Sequence, residues 1–154
     1  MPEKLLSFLA TGYWLLATSA SGYDSLMREV SVSWAEGKFA QDLQIAGHRL
    51  RADEEPEKGG DNTGPAPHEL LLAALGSCTA MTLKAYAERK SWPLKHAHVT
   101  LNAENTDGRF VITRHIALTG ELDAEQRQRL IEIADKCPVH KTLVGEIAIV
   151  TSER

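Results

Sequence analysis

Two side chains in this sequence carry a nucleophilic sulfur. Cys78 sits inside "ELLLAALGSCTAM" (69–81), and Cys137 opens "CPVH" (137–140). A cysteine can serve as a small packed hydrophobe, a metal ligand, a nucleophile or half of a redox pair, and for a buried one taken alone the first is the commonest fate. A metal site needs more than the single C-x-x-H half-site at 137–140. His96 and His98 lie two apart on one strand face, and no third ligand accompanies them, so a solvated sheet face is the reading for that pair. A Cys–His hydrolase would need a nucleophile elbow or an oxyanion motif, and neither is recognisable. A thiol redox pair remains, and it makes sense of both cysteines falling on core-facing helix positions.

The elements that must position these thiols are legible from periodicity. Residues 28–52 read as a β-meander: "REVSVSW" alternates, "AEGK" turns, "FAQDLQI" continues, "AGH" turns again and "RLRAD" returns. "EEPEKGGDNTGPAP" (54–67) has no periodicity and reads as a long loop, a length often tied to function. Pro67 opens a helix, where its missing N–H costs nothing, and the helix runs to about Lys90. Its first half is apolar all round, with no charge between Glu69 and Lys84, which marks burial on every side. A lone domain of this size has trouble covering such a helix, and a partner subunit would solve the problem.

Two strands follow, at 92–105 and 109–120, and the alternation of the second slips near Arg114–His115, where a β-bulge is expected. Asp123 with Gln126 three residues on signals the start of a helix over 123–137, and Leu130, Ile133, Ala134 and Cys137 form its buried stripe. Pro138 breaks that helix and starts another, and "EIAIVTS" reads as a closing strand.

Composition bounds the rest. The chain has 154 residues, 43% hydrophobic and 25% charged, which suits one ordered domain with a sizeable core. A net charge of −4 without a Lys/Arg run excludes nucleic acid as the main partner. Two cysteines do not make a disulfide framework. "LLSFLATGYWLLA" (5–17) has the look of a signal-peptide core, but it is short of the roughly 20 residues a membrane span needs. Lys4 is the only basic residue before it. Residues 1–26 are expected to be a helical extension packed on the body, with Met27 as a possible older start.

The segment "PHELLLAALGSC", followed some sixty residues later by "CPV", closely resembles the OsmC/Ohr family of osmotically induced and organic-hydroperoxide-resistance proteins. The resemblance covers about residues 28–151, including the order of elements, so that 1–26 form an extension and 27–154 an OsmC-like domain. It implies an α+β fold in which antiparallel sheets wrap buried central helices in an intertwined homodimer. It also implies a cytoplasmic thiol peroxidase that reduces organic hydroperoxides without metal, flavin or haem. On this resemblance Cys78 attacks the peroxide and becomes a sulfenic acid, Cys137 condenses with it to a disulfide, and a dithiol reductant resets the pair.

Elementary electrostatics adds a demand. An apolar site pushes a thiol above its free pKa of about 8.5. Cys78 lies eleven residues past Pro67, roughly 16 Å along the axis at 1.5 Å per residue, too far for the helix N-terminus to help. Family members use an arginine from the N-terminal sheet or the loop after it, for which Arg51 is the best candidate, with Arg49 and Lys38 behind it. The family's peroxidases usually carry Glu directly after the helix-starting proline, to hold that arginine. This chain has His68 there and Glu69 one place on, rotated by about 100°. A second reading therefore stands beside the first: the same scaffold without peroxidase activity, binding a small apolar ligand or sensing oxidants.

Overall fold

The computed structural model describes residues 27–153. The helix expected over 1–26 lies outside the described residues. The meander forms as expected, with β1 (Val30–Trp34), β2 (Gln41–Ile45) and β3 (His48–Ala52) antiparallel in the order β1-β2-β3. Val32, Leu43 and Leu50 lie opposite one another across it. Ala46 and Gly47 both take positive φ, 48° and 89°, the tight turn whose twist matches a β2–β3 hairpin.

The stretch after β3 is a built loop. The Asp53 side chain is buried and accepts from the N–H of Glu54 (2.8 Å), Asp61 (3.3 Å) and Thr63 (3.0 Å) and from the Thr63 hydroxyl (2.7 Å). Those bonds draw its pKa down to about 2, the Thr63 hydroxyl contributing most and burial opposing. Gly60 and Gly64 let the loop close on itself, since a Cβ at either would strike the backbone of Glu54 or Arg51.

α1 (Pro67–Arg89) has proline in its first turn, and the Glu69 carboxylate accepts from the Ala66 N–H at 2.8 Å. Ala66 has no side-chain acceptor, so this is half a capping box. β4 (Leu94–Thr106) and β5 (Arg109–Gly120) form a long antiparallel hairpin turned at Asp107–Gly108, both at positive φ. α2 (Ala124–Ala134) begins at the expected cap: Asp123 accepts from the Gln126 N–H at 2.7 Å, and the Gln126 side chain accepts in return at 3.1 Å. α3 (Pro138–Val144) follows Cys137 directly.

α1 packs on β4, α2 and α3, and the core between them holds Leu83, Ala87, Leu122, Leu130, Ile133 and Ala134. Complete burial of a leucine such as Leu83 or Leu130 contributes about 1.5–3 kcal/mol. By length and composition alone α1 would pass for a membrane span; one side of it packs on β4, α2 and α3.

Two expectations need correction. The irregularity in the long hairpin lies between Leu94 and His96, and the register through Arg114 and His115 is unbroken. Arg114 keeps the inward parity of Ile112, Ile116 and Leu118, because its guanidinium finds polar partners there. The closing strand is also absent among the described residues: 146–153 carry no strand. Ile149 and Val150 are 87% and 93% exposed, and a segment with no ladder partner has nothing to fix it as a strand.

Much apolar surface stays uncovered within one chain. β1 to β3 pack on one another and make no substantial contact with α1, β4 or β5. Val32 and Trp34 on the meander and Met81 on α1 are all exposed, Trp34 at 91%. Ala73, Ala74 and Ser77 of α1 face outward beside Met81.

Candidate functional site

The two cysteines meet. Cys78 sits midway along α1, half-buried, and Cys137 stands at the head of α3, fully buried. Both are free thiols, and Cys137 is near enough to be among the groups that shift the Cys78 thiol. Pro138 makes this possible, because it ends the run of α2 and restarts the chain as α3, turning Cys137 toward α1.

Burial pushes the Cys78 thiol above its ordinary range, and the neighbouring Cys137 adds to the effect. Two donors work the other way: the Val139 backbone N–H and the Thr82 hydroxyl. Val139 is the second residue of α3, so the helix N-terminus that serves Cys78 belongs to α3 and not to its own helix. The Thr82 hydroxyl also donates to the Cys78 carbonyl at 2.7 Å, and its single proton is committed chiefly to that bond.

The groups acting most strongly on this thiol do not include Arg51. Arg51 lies on β3, exposed, and donates to the Glu36 carbonyl at 2.6 Å. Lys38 pairs with Asp61 at 3.6 Å, and Arg49 is exposed on the same strand as Arg51. Glu69 holds the start of α1 and lines a groove of about 390 Å³ between α1 and β4, together with Leu72, Ala73, Gly76, Ser77, Val99 and Leu101. His68 lies against the Phe110 ring, centroids 5.3 Å apart. His96 and His98 are exposed, and no group of three metal-ligating side chains occurs among the described residues.

One residue near the thiols escaped the sequence reading. Arg114 reaches from β5 to Thr79, the residue after Cys78, and to Ala134 and Asp135, just before Cys137. The signal was present as a charge at an inward-facing position of a strand whose other inward residues are apolar.

The family model described as OsmC-like protein matches residues 59–152. No curated protein matches the chain. Among solved structures, an OsmC-like protein from Mycoplasma pneumoniae superposes with a TM-score of 0.68 at 19% identity, over 78% of this chain and 89% of that one. An organic hydroperoxide resistance protein OsmC from Legionella pneumophila gives 0.60 at 16%, over 78% and 90%. The organic hydroperoxide resistance protein OhrB of Bacillus subtilis gives 0.56 at 19%, over 78% and 92%. At such identities the likeness establishes the fold. With both cysteine motifs inside the matched region, the α+β chain of helix-borne Cys78, long hairpin and Cys137 turn belongs to the OsmC/Ohr family of OsmC-like proteins.

Proposed function

We propose that this protein is a homodimeric thiol peroxidase of the cytoplasm that reduces organic hydroperoxides in the defence against oxidative stress. The observation that carries the reading is the proximity of Cys78 and Cys137, two thiols some sixty residues apart that the fold brings close enough for one to shift the other. Similarity to the hydroperoxide resistance proteins of Legionella pneumophila and Bacillus subtilis supports the same class of substrate.

The chemistry balances with a hydroperoxide and a dithiol. The Cys78 thiolate attacks the distal oxygen of ROOH, the O–O bond breaks, and the alkoxide leaves as ROH after protonation. Cys78 is then a sulfenic acid. The Cys137 sulfur attacks it, an S–S bond forms and water leaves. An external dithiol returns both cysteines to thiols by exchange and leaves as its own disulfide. No cofactor enters these steps.

A second copy answers two needs. It would cover the outward side of α1 at Ala73, Ala74, Ser77 and Met81, and the apolar face of the meander. It would also supply the cation that the Cys78 thiol needs, from Arg51 on a meander that packs on nothing substantial within its own chain. Glu69 in this reading orders the start of α1 and one wall of the groove beside it.

A second reading rests on a specific observation. The thiol is raised, and His68 stands on Phe110 where the family's peroxidases carry Glu. On that basis the scaffold binds a small apolar ligand in the α1–β4 groove or senses oxidants, without turnover.

Consumption of cumene hydroperoxide with a dithiol separates the two. Wild type should turn over, Cys78→Ser should not, and Cys137→Ser should consume about one equivalent and leave a sulfenic acid that a dimedone-type probe traps. No consumption by wild type would leave the ligand-binding reading. A stable folded monomer in sedimentation would remove the dimer and the role given to Arg51.

A further inference from the structure

Arg114 is 13% exposed and lies on the inward face of β5 between Ile112 and Ile116, an expensive place for a charge unless its donors are satisfied. Three of its five N–H donors have partners, and every partner lies beside a cysteine in the chain. Nη1 donates to the Thr79 hydroxyl at 3.0 Å and to the Ala134 carbonyl at 3.2 Å, and Nη2 donates to Asp135 Oδ1 at 2.7 Å. Thr79 is fully buried, one residue past Cys78, and its own hydroxyl is tied to the Leu75 carbonyl at 2.8 Å. Ala134 and Asp135 end α2 two or three residues before Cys137, where a cation also complements the exposed carbonyls of the helix end. Asp135 further faces His140 of α3 at 3.8 Å. A guanidinium delivers these bonds from one rigid plane, which an ammonium cannot do.

We infer that Arg114 is a positioning residue: it clamps the Cys137 turn against the middle of α1 and thereby sets how readily Cys78 and Cys137 join in a disulfide. The inference rests on the thiol-pair reading above, and it deepens that reading by naming what holds the resolving thiol in place. The step concerned is attack of the Cys137 sulfur on the Cys78 sulfenic acid, with water as the leaving molecule.

The test uses Arg114→Met and Arg114→Lys, with Asp135→Asn as a milder break at a residue whose side chain is 61% exposed. After one equivalent of cumene hydroperoxide, formation of the sulfenic acid should stay within about twofold of wild type, since Arg114 is not among the groups acting most strongly on the Cys78 thiol. Disulfide formation in Arg114→Met should slow at least tenfold, with accumulation of the dimedone adduct, and Arg114→Lys should fall between. A second arm needs no peroxide. Equilibration in glutathione buffers should show the Cys78–Cys137 bridge of Arg114→Met about tenfold easier to reduce, roughly 30 mV for two electrons. Wild type that fails to react with the hydroperoxide would overturn the peroxidase reading and leave this second arm to decide the clamp. Unchanged disulfide kinetics and potential in folded Arg114→Met and Asp135→Asn would overturn the inference. So would an equal loss in both oxidation steps that merely follows lost stability.

Discussion

Replacing Thr82 by valine should raise the pKa of the Cys78 thiol and slow its reactions at neutral pH. Thr82 is buried, and its hydroxyl both lies against the Cys78 sulfur and donates to the Cys78 carbonyl at 2.7 Å. A hydrogen bond to a charged group is worth about 1.5–3 kcal/mol. Here the one hydroxyl proton already bonds the Cys78 carbonyl, so the lower end of that range applies. At about 1.4 kcal/mol per pKa unit, the thiol should rise by about one unit. A reagent that attacks only the thiolate, such as iodoacetamide, should therefore react about tenfold more slowly at pH 7 and equally fast on the alkaline plateau. The comparison is made in a Cys137→Ser background, so that Cys78 alone is alkylated. Thr82→Ser keeps the hydroxyl and should return the wild-type profile. The same thiol links stability to pH. Its folded pKa is raised, so its contribution is fully present below the unfolded value of about 8.5 and is lost as pH rises through the folded value. An alkylation midpoint that does not move in Thr82→Val, or moves down, would refute the assignment of this hydroxyl as a thiolate donor.

Leu130→Ala empties a fully buried core position and should cost about 2–5 kcal/mol in urea unfolding, with an unchanged slope. Asp53→Ala should release the loop after β3 and speed proteolysis within 54–66. The depressed Asp53 carboxylate contributes stability above its unfolded pKa of about 3.9, lost as pH falls through about 2, so this variant should lose part of the acid limb of unfolding. A chain beginning at Met27 should fold, associate and react at Cys78 like the full chain; insolubility or loss of thiol reactivity would put residues 1–26 inside the working domain.

Local rules were enough for the elements. Alternation, the Ala46–Gly47 turn, Pro67 at a helix start and the Asp123–Gln126 box each act over a few residues, and each is where the sequence places it. The importance of Cys78 and Cys137 was legible too, because rare thiols at core-facing helix positions demand a reason. What tertiary structure alone decided is how distant segments meet. The alternation at Arg114 reads as a bulge in the sequence because an isolated strand gives no sign that Thr79, Ala134 and Asp135 will converge on a guanidinium. The Val139 N–H reaches Cys78 only once α3 packs on α1, so counting residues along α1 could not reveal a second helix terminus beside the thiol. "EIAIVTS" has strand-forming residues, but a strand is a property of a pair, and within the described chain no partner lies beside it. Propensity is local and is written residue by residue; a desolvated charge, a shifted thiol and a paired edge depend on groups that become neighbours only when the chain has folded.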